Sequence, residues 1–339
     1  MKEILLIVFV IIADLIGAGF ASGQEMYSFF FAYGTKGLLG LMMMSVLVAV
    51  LIYKILKLIC VREVDTYDEF LGIFIKNKKA TKIINIILNV LLVITFYIMI
   101  AGFGAYFEQE IGIAKLIGST FLAVMCLIVF FTSVKGVLKV SEYLVPFLII
   151  CIIAIGFKAM LILDIGSVNI PTLKKGWLLS SVVYCSYNII LLVPILISLR
   201  KQIKEQSKIK YIALISGIVI FVLSLSIYVI LAKANVDWSQ IEMPMVYAVR
   251  TQFPGFSNIY TFIILASIFT TAITVGTGIL QNVRKNKKSY TQAVIILCIT
   301  SILFSNIGFS NLINSAYPLF GYLGIVQIIL ILSKNICKK

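Results

Sequence analysis

The sequence predicts an all-α integral membrane protein whose ten transmembrane helices form two inverted halves of five. Hydrophobic residues make up 61% of the 339 residues and the mean hydropathy is +1.09, which is typical of membrane proteins. The apolar residues fall into ten segments of spanning length. Long connections follow the second and the seventh segments, which are matching places in two sets of five. Composition, segment count and connection pattern together indicate the fold class.

Charged and polar residues bound each apolar segment, so the segments can be delimited one by one. We number them in chain order, and they cover roughly residues 4–31, 37–58, 82–107, 113–133, 140–163, 176–199, 211–233, 257–283, 290–307 and 312–333.

The basic residues are distributed unequally between the two sets of connections that these segments define. With ten segments, 22 of the 29 lysines and arginines fall on the side of the N-terminus. The positive-inside rule then predicts both termini in the cytoplasm of a bacterial inner membrane. The net charge of +15 faces anionic lipid headgroups, so the bilayer accounts for it without a nucleic-acid partner.

The residue types argue against an enzyme and against a bound cofactor. The chain has no histidine and no HExxH, GxSxG, Walker or CxxC pattern. Its six cysteines lie mostly in apolar segments and are expected to be free thiols. The N-terminus lacks the features of a cleaved secretory signal peptide, so segment 1 is expected to remain in the protein.

Segment 1 contains the most unusual stretch of the chain, the residues from Ile16 to Glu25. Gly17, Gly19 and Gly23 fall within seven residues, and each weakens a helix by roughly 1 kcal/mol relative to alanine. Asp14 precedes the glycines, and each carboxylate in this segment would be costly in a plain membrane anchor. The pattern predicts a discontinuous helix whose free backbone groups face a cavity. The alternative is a glycine-rich packing face with Asp14 hydrogen-bonded to a neighbour.

The two long connections indicate an internal repeat. Residues 59–81 contain the amphipathic run Tyr67–Ile75, and residues 234–256 contain a short helix, Trp238–Phe253, interrupted at Pro244. The halves are therefore residues 1–163 and 164–339 of one transmembrane domain. Because five is odd, the second half enters the membrane inverted, as in many secondary transporters.

The symmetry predicts that segment 6 also breaks, since it occupies the place of segment 1 in the second half. Its centre, Ser180–Asn188, is polar, and Pro194 follows one to two turns later. The stretch has no glycine, so the alternative is an ordinary helix whose hydroxyl groups bond to neighbouring helices.

Segment 8 carries a ladder of hydroxyl groups. Its members recur near one helix face and are Ser267, Thr270, Thr271, Thr274 and Thr277. A hard monovalent cation prefers such oxygens together with the carbonyls of a broken helix 1. The alternative is that each hydroxyl bonds only to a carbonyl of its own helix. Segment 10 adds polar residues near its outer end, namely Asn306, Asn311, Asn314, Ser315 and Tyr317.

A family resemblance rests on the run Gly17–Glu25, followed by Phe29-Phe30 and Tyr33-Gly34. At these residues the sequence resembles the YkvI-type family of bacterial membrane proteins. That family looks like a branch of the amino acid–polyamine–organocation superfamily, which has the LeuT fold.

The LeuT-like resemblance implies a sodium ion between the kink of helix 1 and helix 8. Its ligands would be the carbonyls of Ala13, Ile16 and Ser267 and the hydroxyls of Thr270 and Thr271. The resemblance also implies that Tyr97 on helix 3 touches the substrate. The sequence departs from the LeuT-like pattern at two places. Helix 6 lacks a glycine at its expected break, and helix 1 carries the acidic Asp14. Because of Asp14, both sodium and proton coupling stay open.

The leading hypothesis is a cation-coupled transporter of a small amino-acid-like or amine solute. Free amides near Phe20–Gly23 would bind the solute carboxylate, since a helix N-terminus favours negative charge. Groups in Tyr184–Asn188 would bind the amine. The candidate substrate residues are Gly17, Gly19, Phe20, Ser22, Gly23, Tyr97, Tyr184, Ser186 and Asn188. Glu25 would be an outer gate, or a carboxylate at the outer mouth that only favours the helix terminus.

Two alternatives stay open at this point. One is a solute-sensing receptor with a transporter fold, because a fold does not fix a function. The other is proton coupling through Asp14. Some proton-coupled relatives of this fold place a lysine on helix 5 at the sodium position. Here Lys158 is expected about 27 Å along that helix, near the outer interface, so it cannot replace the ion. The oligomeric state is open.

Overall fold

Helices make up most of the computed structural model, which describes residues 2–75, 77–132, 134–162, 172–203, 205–234, 236–280 and 287–334. The predicted repeat boundary at residues 163 and 164 and the thiol of Cys337 lie outside these residues. The α-helices, in chain order from α1 to α14, are Lys2–Leu15, Ala18–Ala21, Gln24–Met26, Lys36–Arg62, Tyr67–Gly72, Lys78–Tyr106, Lys115–Phe131, Val134–Leu161, Trp177–Leu199, Ile209–Ala234, Pro244–Gln252, Pro254–Leu280, Lys287–Ser305 and Phe309–Ser333. Two π-helices, Tyr27–Phe31 and Phe107–Ile111, follow α3 and α6.

Each of the ten predicted segments coincides with helical structure. Eight helices in the described part of the chain are long and apolar enough to cross a membrane. Segment 4 is the 17-residue helix α7, which exposes large apolar side chains such as Phe121, Val124 and Ile128. Segment 1 is divided into pieces. Extensive exposed apolar surface on long helices is what a lipid environment requires, so the chain is a multi-pass membrane protein.

Segment 1 breaks where the sequence predicts. Helix α1 ends at Leu15, and Gly17 adopts an extended conformation with φ −75° and ψ 177° before α2 begins at Ala18. A second interruption follows at Gly23, whose φ of +80° lies in the left-handed region that favours glycine. The segment then continues through α3 and the first π-helix. The glycines permit each change of backbone direction.

The predicted break in segment 6 is wrong, because α9 runs without interruption from Trp177 to Leu199. The polar side chains of its centre bond to carbonyls of the preceding turn. Ser181 Oγ donates to Trp177 O at 2.8 Å, and Ser186 Oγ donates to Val182 O at 2.6 Å. With no glycine to loosen the backbone, these residues fit an ordinary helix.

Short helices occupy both long connections, as the sequence predicts. Helix α5 follows the second segment and α11 follows the seventh. Pro244 lies in the first turn of α11, so it starts that helix and does not interrupt it. The side chain of Asp237 accepts a hydrogen bond from the Ser239 amide and caps the turn that precedes α11.

The helices pack around α9 and α1. Helix α9 contacts α14, α4 and α1, whereas α12 packs against α6 and α8. Close approach of α14 to α9 depends on Gly321 and Gly324, where an added Cβ would lie 2.5 Å from Val183 O and 2.7 Å from Ser186 O. We call the end of the bundle at which α1 begins the inner end, and the opposite end the outer end.

Candidate functional site

A cavity of about 520 Å³ lies on the inner side of the break in segment 1. Helix α1 lines it with Phe9, Val10, Ala13 and Asp14, and the break itself contributes Ile16 and Gly17. The facing walls come from α8 and α12, with Val145, Pro146, Ser267, Thr270, Thr271 and Thr274. All five predicted cation ligands and Asp14 therefore line one space.

The break leaves four carbonyl groups without backbone partners. The helical ladder stops at the bond from the Ile16 amide to Ile12 O and resumes with the Ala21 amide bonded to Gly17 O. No hydrogen bond among the described residues reaches the carbonyls of residues 13–16. These oxygens include those of Ala13 and Ile16, which the sequence analysis selects as ligands.

Asp14 lines the same cavity and is half-buried. It forms no hydrogen bond or ion pair with any residue in the described part of the chain. The alternative in which a neighbour satisfies Asp14 therefore has no support from these residues. A carboxylate beside unbonded carbonyls makes this end of the cavity electronegative.

The hydroxyl groups of α12 differ in their hydrogen bonds and in whether they line the cavity. Thr270 Oγ1 donates to Ser267 O at 3.1 Å, and Thr274 Oγ1 donates to Thr270 O at 2.9 Å. Thr277 Oγ1 donates to Ile273 O and lies beyond the cavity lining. Thr271 also lines the cavity, and its hydroxyl forms no hydrogen bond with any described residue. A threonine hydroxyl that donates to a carbonyl still has free lone pairs with which to bind a cation.

The amides near Phe20–Gly23 are largely engaged, which corrects the prediction that they are free. The Ala21, Ser22 and Gly23 amides donate to Gly17 O, Ala18 O and Phe20 O at 2.8–3.0 Å. The amides without backbone partners are instead those of residues 17–20, because the helix restarts at Ala18 and not nearer Gly23.

Glu25 lies next to the turn that the sequence analysis assigns to a solute carboxylate. Its side chain folds back so that Oε1 lies against Gly19, where even a Cβ would collide with it. Only 4% of Glu25 is exposed, so it is not a carboxylate at the outer mouth. Tyr187 Oη donates to Glu25 Oε2 at 2.6 Å.

Aromatic rings surround this carboxylate. Tyr184 and Tyr187 have ring centroids 5.3 Å apart, and Phe29 lies 5.3 Å from Tyr184 and 5.9 Å from Tyr187. Tyr317 stacks on Tyr187 at 4.5 Å. Sequence analysis selects Tyr184 and names Tyr317 among the polar residues of segment 10, but it misses the central position of Tyr187. The signal available was its place in the polar centre of segment 6.

Several predicted substrate residues point elsewhere. Tyr97 Oη donates to Thr300 Oγ1 at 2.7 Å and its ring stacks on Phe304, so Tyr97 faces α13 and not the break. Ser22 Oγ donates to Gly19 O, and Asn188 Nδ2 donates to Tyr184 O. These groups, like Ser186, are occupied by local bonds. Phe20 is fully buried, and Gly23 packs against Met245.

Helix α11 closes the outer end above segment 1. The Met245 amide donates to Ser22 O at 2.8 Å. Gln109 pairs with the backbone of Met243 through both of its side-chain atoms, and Arg250 forms an ion pair of 2.8 Å with Glu110. The cavity thus lies on the inner side of the break, while the outer side of the break is covered by α11.

Lys158 lies far from the cavity, in agreement with its expected position. Its Nζ is 5.6 Å from the ring centroid of Phe256 near the outer end of α12, and the side chain is exposed. The residues of α8 that line the cavity are Val145 and Pro146.

Comparisons with known proteins identify relatives of the whole chain. No family model matches it. "Uncharacterized membrane protein YkvI" of Bacillus subtilis (strain 168) is 29% identical over 336 residues, which are 98% of this chain and 94% of that protein. The chain is a homologue of YkvI. "Uncharacterized protein YyaD" of the same organism is 26% identical over 338 residues, 97% of this chain and 96% of that protein.

The resemblance to YkvI-type proteins that the run Gly17–Glu25 indicates is therefore confirmed. Among solved structures, "Inward facing conformation of Mhp1" matches with a TM-score of 0.68 at 10% identity. The match covers 97% of this chain and 75% of the other, and it shows the LeuT fold. None of these three proteins is named as an enzyme, which agrees with the expectation from sequence.

Proposed function

We propose that this homologue of YkvI is a secondary transporter that couples a cation to the movement of a small amino-acid-like or amine solute. The observation that carries the proposal is the break in segment 1. It leaves four carbonyls unbonded, and three of the residues that carry them, Ala13, Asp14 and Ile16, line one cavity together with Thr270 and Thr271. Discontinuous helices whose free backbone groups bind ions are characteristic of secondary transporters.

The donor set favours sodium as the coupling ion. Sodium is a hard cation, and the cavity offers the carbonyls of Ala13, Ile16 and Ser267 together with the hydroxyls of Thr270 and Thr271. The Asp14 carboxylate supplies negative charge nearby. A bound cation would supply the positive charge that links α1 to α12. These are the two elements that must approach each other for the inner cavity to close.

We further propose ten membrane spans arranged as a 5+5 inverted repeat, with both termini in the cytoplasm of the bacterial inner membrane. The broken segment 1 and the 17-residue α7 supplement the eight long helices. In this orientation the cavity opens to the cytoplasm. Alternating access then requires the cavity to close and the contacts of α11 at the outer end to release.

Uptake into proteoliposomes under imposed ion gradients tests the proposal. We expect a sodium gradient, but not a choline gradient, to drive accumulation of a solute from a panel of amino acids and amines. Concentrative uptake separates a transporter from a receptor, which would bind solute and accumulate none. Equal uptake in sodium and choline buffers, driven only by a pH gradient, would contradict sodium coupling and favour a proton carried by Asp14.

Thr271→Ala is the sharpest single change for the sodium site. Its hydroxyl lines the cavity without a hydrogen bond among the described residues, so its loss removes one ligand and leaves α12 intact. We expect the sodium concentration for half-maximal binding to rise by about tenfold, a change of ~1.4 kcal/mol. Thr277→Ala is the matched control, because Thr277 bonds to Ile273 O outside the cavity lining. An equal rise of the sodium concentration for both variants would contradict the assignment of Thr271 as a sodium ligand.

A further inference from the structure

Glu25 is a buried carboxylate without a basic partner. It is 4% exposed, and no lysine or arginine in the described part of the chain pairs with it. Among the described residues, it accepts a hydrogen bond from Tyr187 Oη. Burying an unpaired charge is costly, and a single neutral hydrogen bond offsets only part of that cost. A cation that enters the site would supply the missing charge.

The rings around Glu25 favour an organic cation. Tyr184, Tyr187, Tyr317 and Phe29 form one aromatic cluster about the carboxylate. Aromatic faces attract ammonium groups, most strongly where water is excluded. The carboxylate supplies full charge and the rings supply both attraction for the cation and apolar surface for its carbon skeleton.

A buried oxygen atom of the cluster lacks a hydrogen bond among the described residues. Tyr184 Oη lies close to the Glu25 carboxylate but does not satisfy hydrogen-bond geometry with it. Buried polar atoms are rarely left unbonded in folded proteins. An ammonium group carries N–H donors that such acceptors can use.

Other solute classes fit this site less well. The carboxylate of an amino acid would meet the like charge of Glu25 beside Gly19, where the free amides are expected to bind it. A divalent metal needs several hard ligands. Within the described residues, no group of three His, Cys, Asp or Glu side chains could hold a metal ion.

We propose that Glu25 binds the ammonium group of a small amine that has no carboxylate, with Tyr184 and Tyr187 enclosing the cation. The inference specifies the solute of the proposed transporter and rests on that function. Gly19, which touches Glu25, is two residues from Gly17, which lines the inner cavity, so the path between the cavity and the carboxylate is short.

Matched pairs of ligands that differ only in a carboxylate provide the test. Binding to the purified full-length protein is measured for isobutylamine against valine, isoamylamine against leucine and phenethylamine against phenylalanine. We expect the amine of at least one pair to bind roughly tenfold or more tightly than its parent amino acid.

The variants then assign that preference to Glu25. Glu25→Gln keeps the shape and removes the charge, so amine affinity should fall by roughly tenfold or more. Tyr187→Phe keeps the ring and the charge of Glu25 but loses the hydrogen bond to it, so its amine affinity should fall less than that of Glu25→Gln. Glu108→Gln is the matched control, since Glu108 is exposed on the outer π-helix. Thermal unfolding of each variant separates loss of binding from loss of fold.

Three outcomes would overturn the inference. They are unchanged amine affinity in Glu25→Gln, tighter binding of the parent amino acids, and no binding of any amine to the wild-type protein. Sodium-driven uptake of amino acids alone would leave the transporter standing and remove this solute assignment. Amine binding that depends on Glu25, without uptake under any gradient, would support the amine site and contradict the transporter function.

Discussion

At the scale of single residues, the three glycines of segment 1 serve different purposes. Gly17 has ordinary φ, and an added Cβ there would meet nothing within 4 Å. Gly19 leaves room for the Glu25 carboxylate, and Gly23 has a positive φ and packs against Met245. The local sequence gives no reason to assign the three glycines different roles. Their different roles follow from the residues that each contacts in the folded protein.

Gly19→Ala and Gly17→Ala form a matched pair. We expect Gly19→Ala to lower the free energy of unfolding by about 1–3 kcal/mol, because its methyl group displaces the buried Glu25 carboxylate. Gly17→Ala should stay within about 0.5 kcal/mol of the wild type. Thermal or denaturant unfolding of the purified protein measures both. Equal stability of the two variants would contradict the position given to Glu25.

Asp14→Asn tests the role of the second carboxylate. If Asp14 stabilises a bound cation, the variant should need about tenfold more sodium for half-maximal binding, because ~1.4 kcal/mol of attraction is enough for that factor. Solute preference should not change. If Asp14 carries a proton, the variant instead loses the pH dependence of uptake.

Sodium titrations at several pH values separate these results for Asp14→Asn. Asp237→Asn is the control, since Asp237 lies in the connection that precedes α11 at the outer end and caps a turn there. Unchanged sodium and pH responses would leave Asp14 with a structural role only.

At the scale of elements, α9 stays continuous, whereas segment 1 breaks. The hydroxyls of Ser181 and Ser186 are satisfied within the helix, and α14 packs closely against its carbonyl groups. A continuous α9 therefore presents the ring of Tyr187 to Glu25 from a rigid support. The proposed inverted repeat would therefore pair a broken segment 1 with a continuous segment 6.

Gly324→Ala should show how closely α14 approaches α9. An added Cβ would lie 2.7 Å from Ser186 O and 2.9 Å from Ile190 Cδ1, so the helices must separate. We expect a loss of about 1–3 kcal/mol in unfolding free energy. In Gly278→Ala, the nearest contact is Leu92 Cδ1 at 4.0 Å, and stability should be equal or slightly higher. Similar melting temperatures for the two variants would show that α14 can shift without cost.

At the scale of the whole molecule, the cavity lies on the inner side of the break in segment 1, and α11 covers the outer side. The ion pair between Arg250 and Glu110 helps to hold α11 over the outer end, and the Glu110 side chain is only 7% exposed. The Arg250 side chain is 45% exposed, so loss of the pair should weaken the contact of α11 only moderately. The inward-open arrangement should therefore depend in part on this pair.

Thiol labelling measures that dependence. In a cysteine-free background, Thr274→Cys lies in the cavity and should react with a membrane-impermeant reagent from the cytoplasmic side only. Adding Glu110→Gln should lower this reactivity, since loss of the pair shifts the equilibrium away from the state in which α11 covers the outer end. Adding Glu108→Gln should leave it unchanged. Labelling from the outside, or no effect of Glu110→Gln, would contradict the proposed gate.

The sequence by itself determined the membrane class, the positions of the apolar segments and the break at Gly17. Hydropathy and glycine content are local properties, and no distant residue is needed to express them. The same holds for the hydroxyl face of α12, which helical periodicity brings to one side. For these features, the sequence predictions and the structure agree.

Only the tertiary structure decided which side chains meet. Tyr97 faces α13, Glu25 folds back against Gly19, and Tyr187 donates to that carboxylate across 162 positions of sequence. Segment 6 is as polar as a broken helix would be, but its serine hydroxyls donate hydrogen bonds to carbonyls of the same helix, which stays continuous. Each of these outcomes depends on the rotation and approach of packed helices, and the spacing of residues along one helix does not specify how a second helix will lie against it.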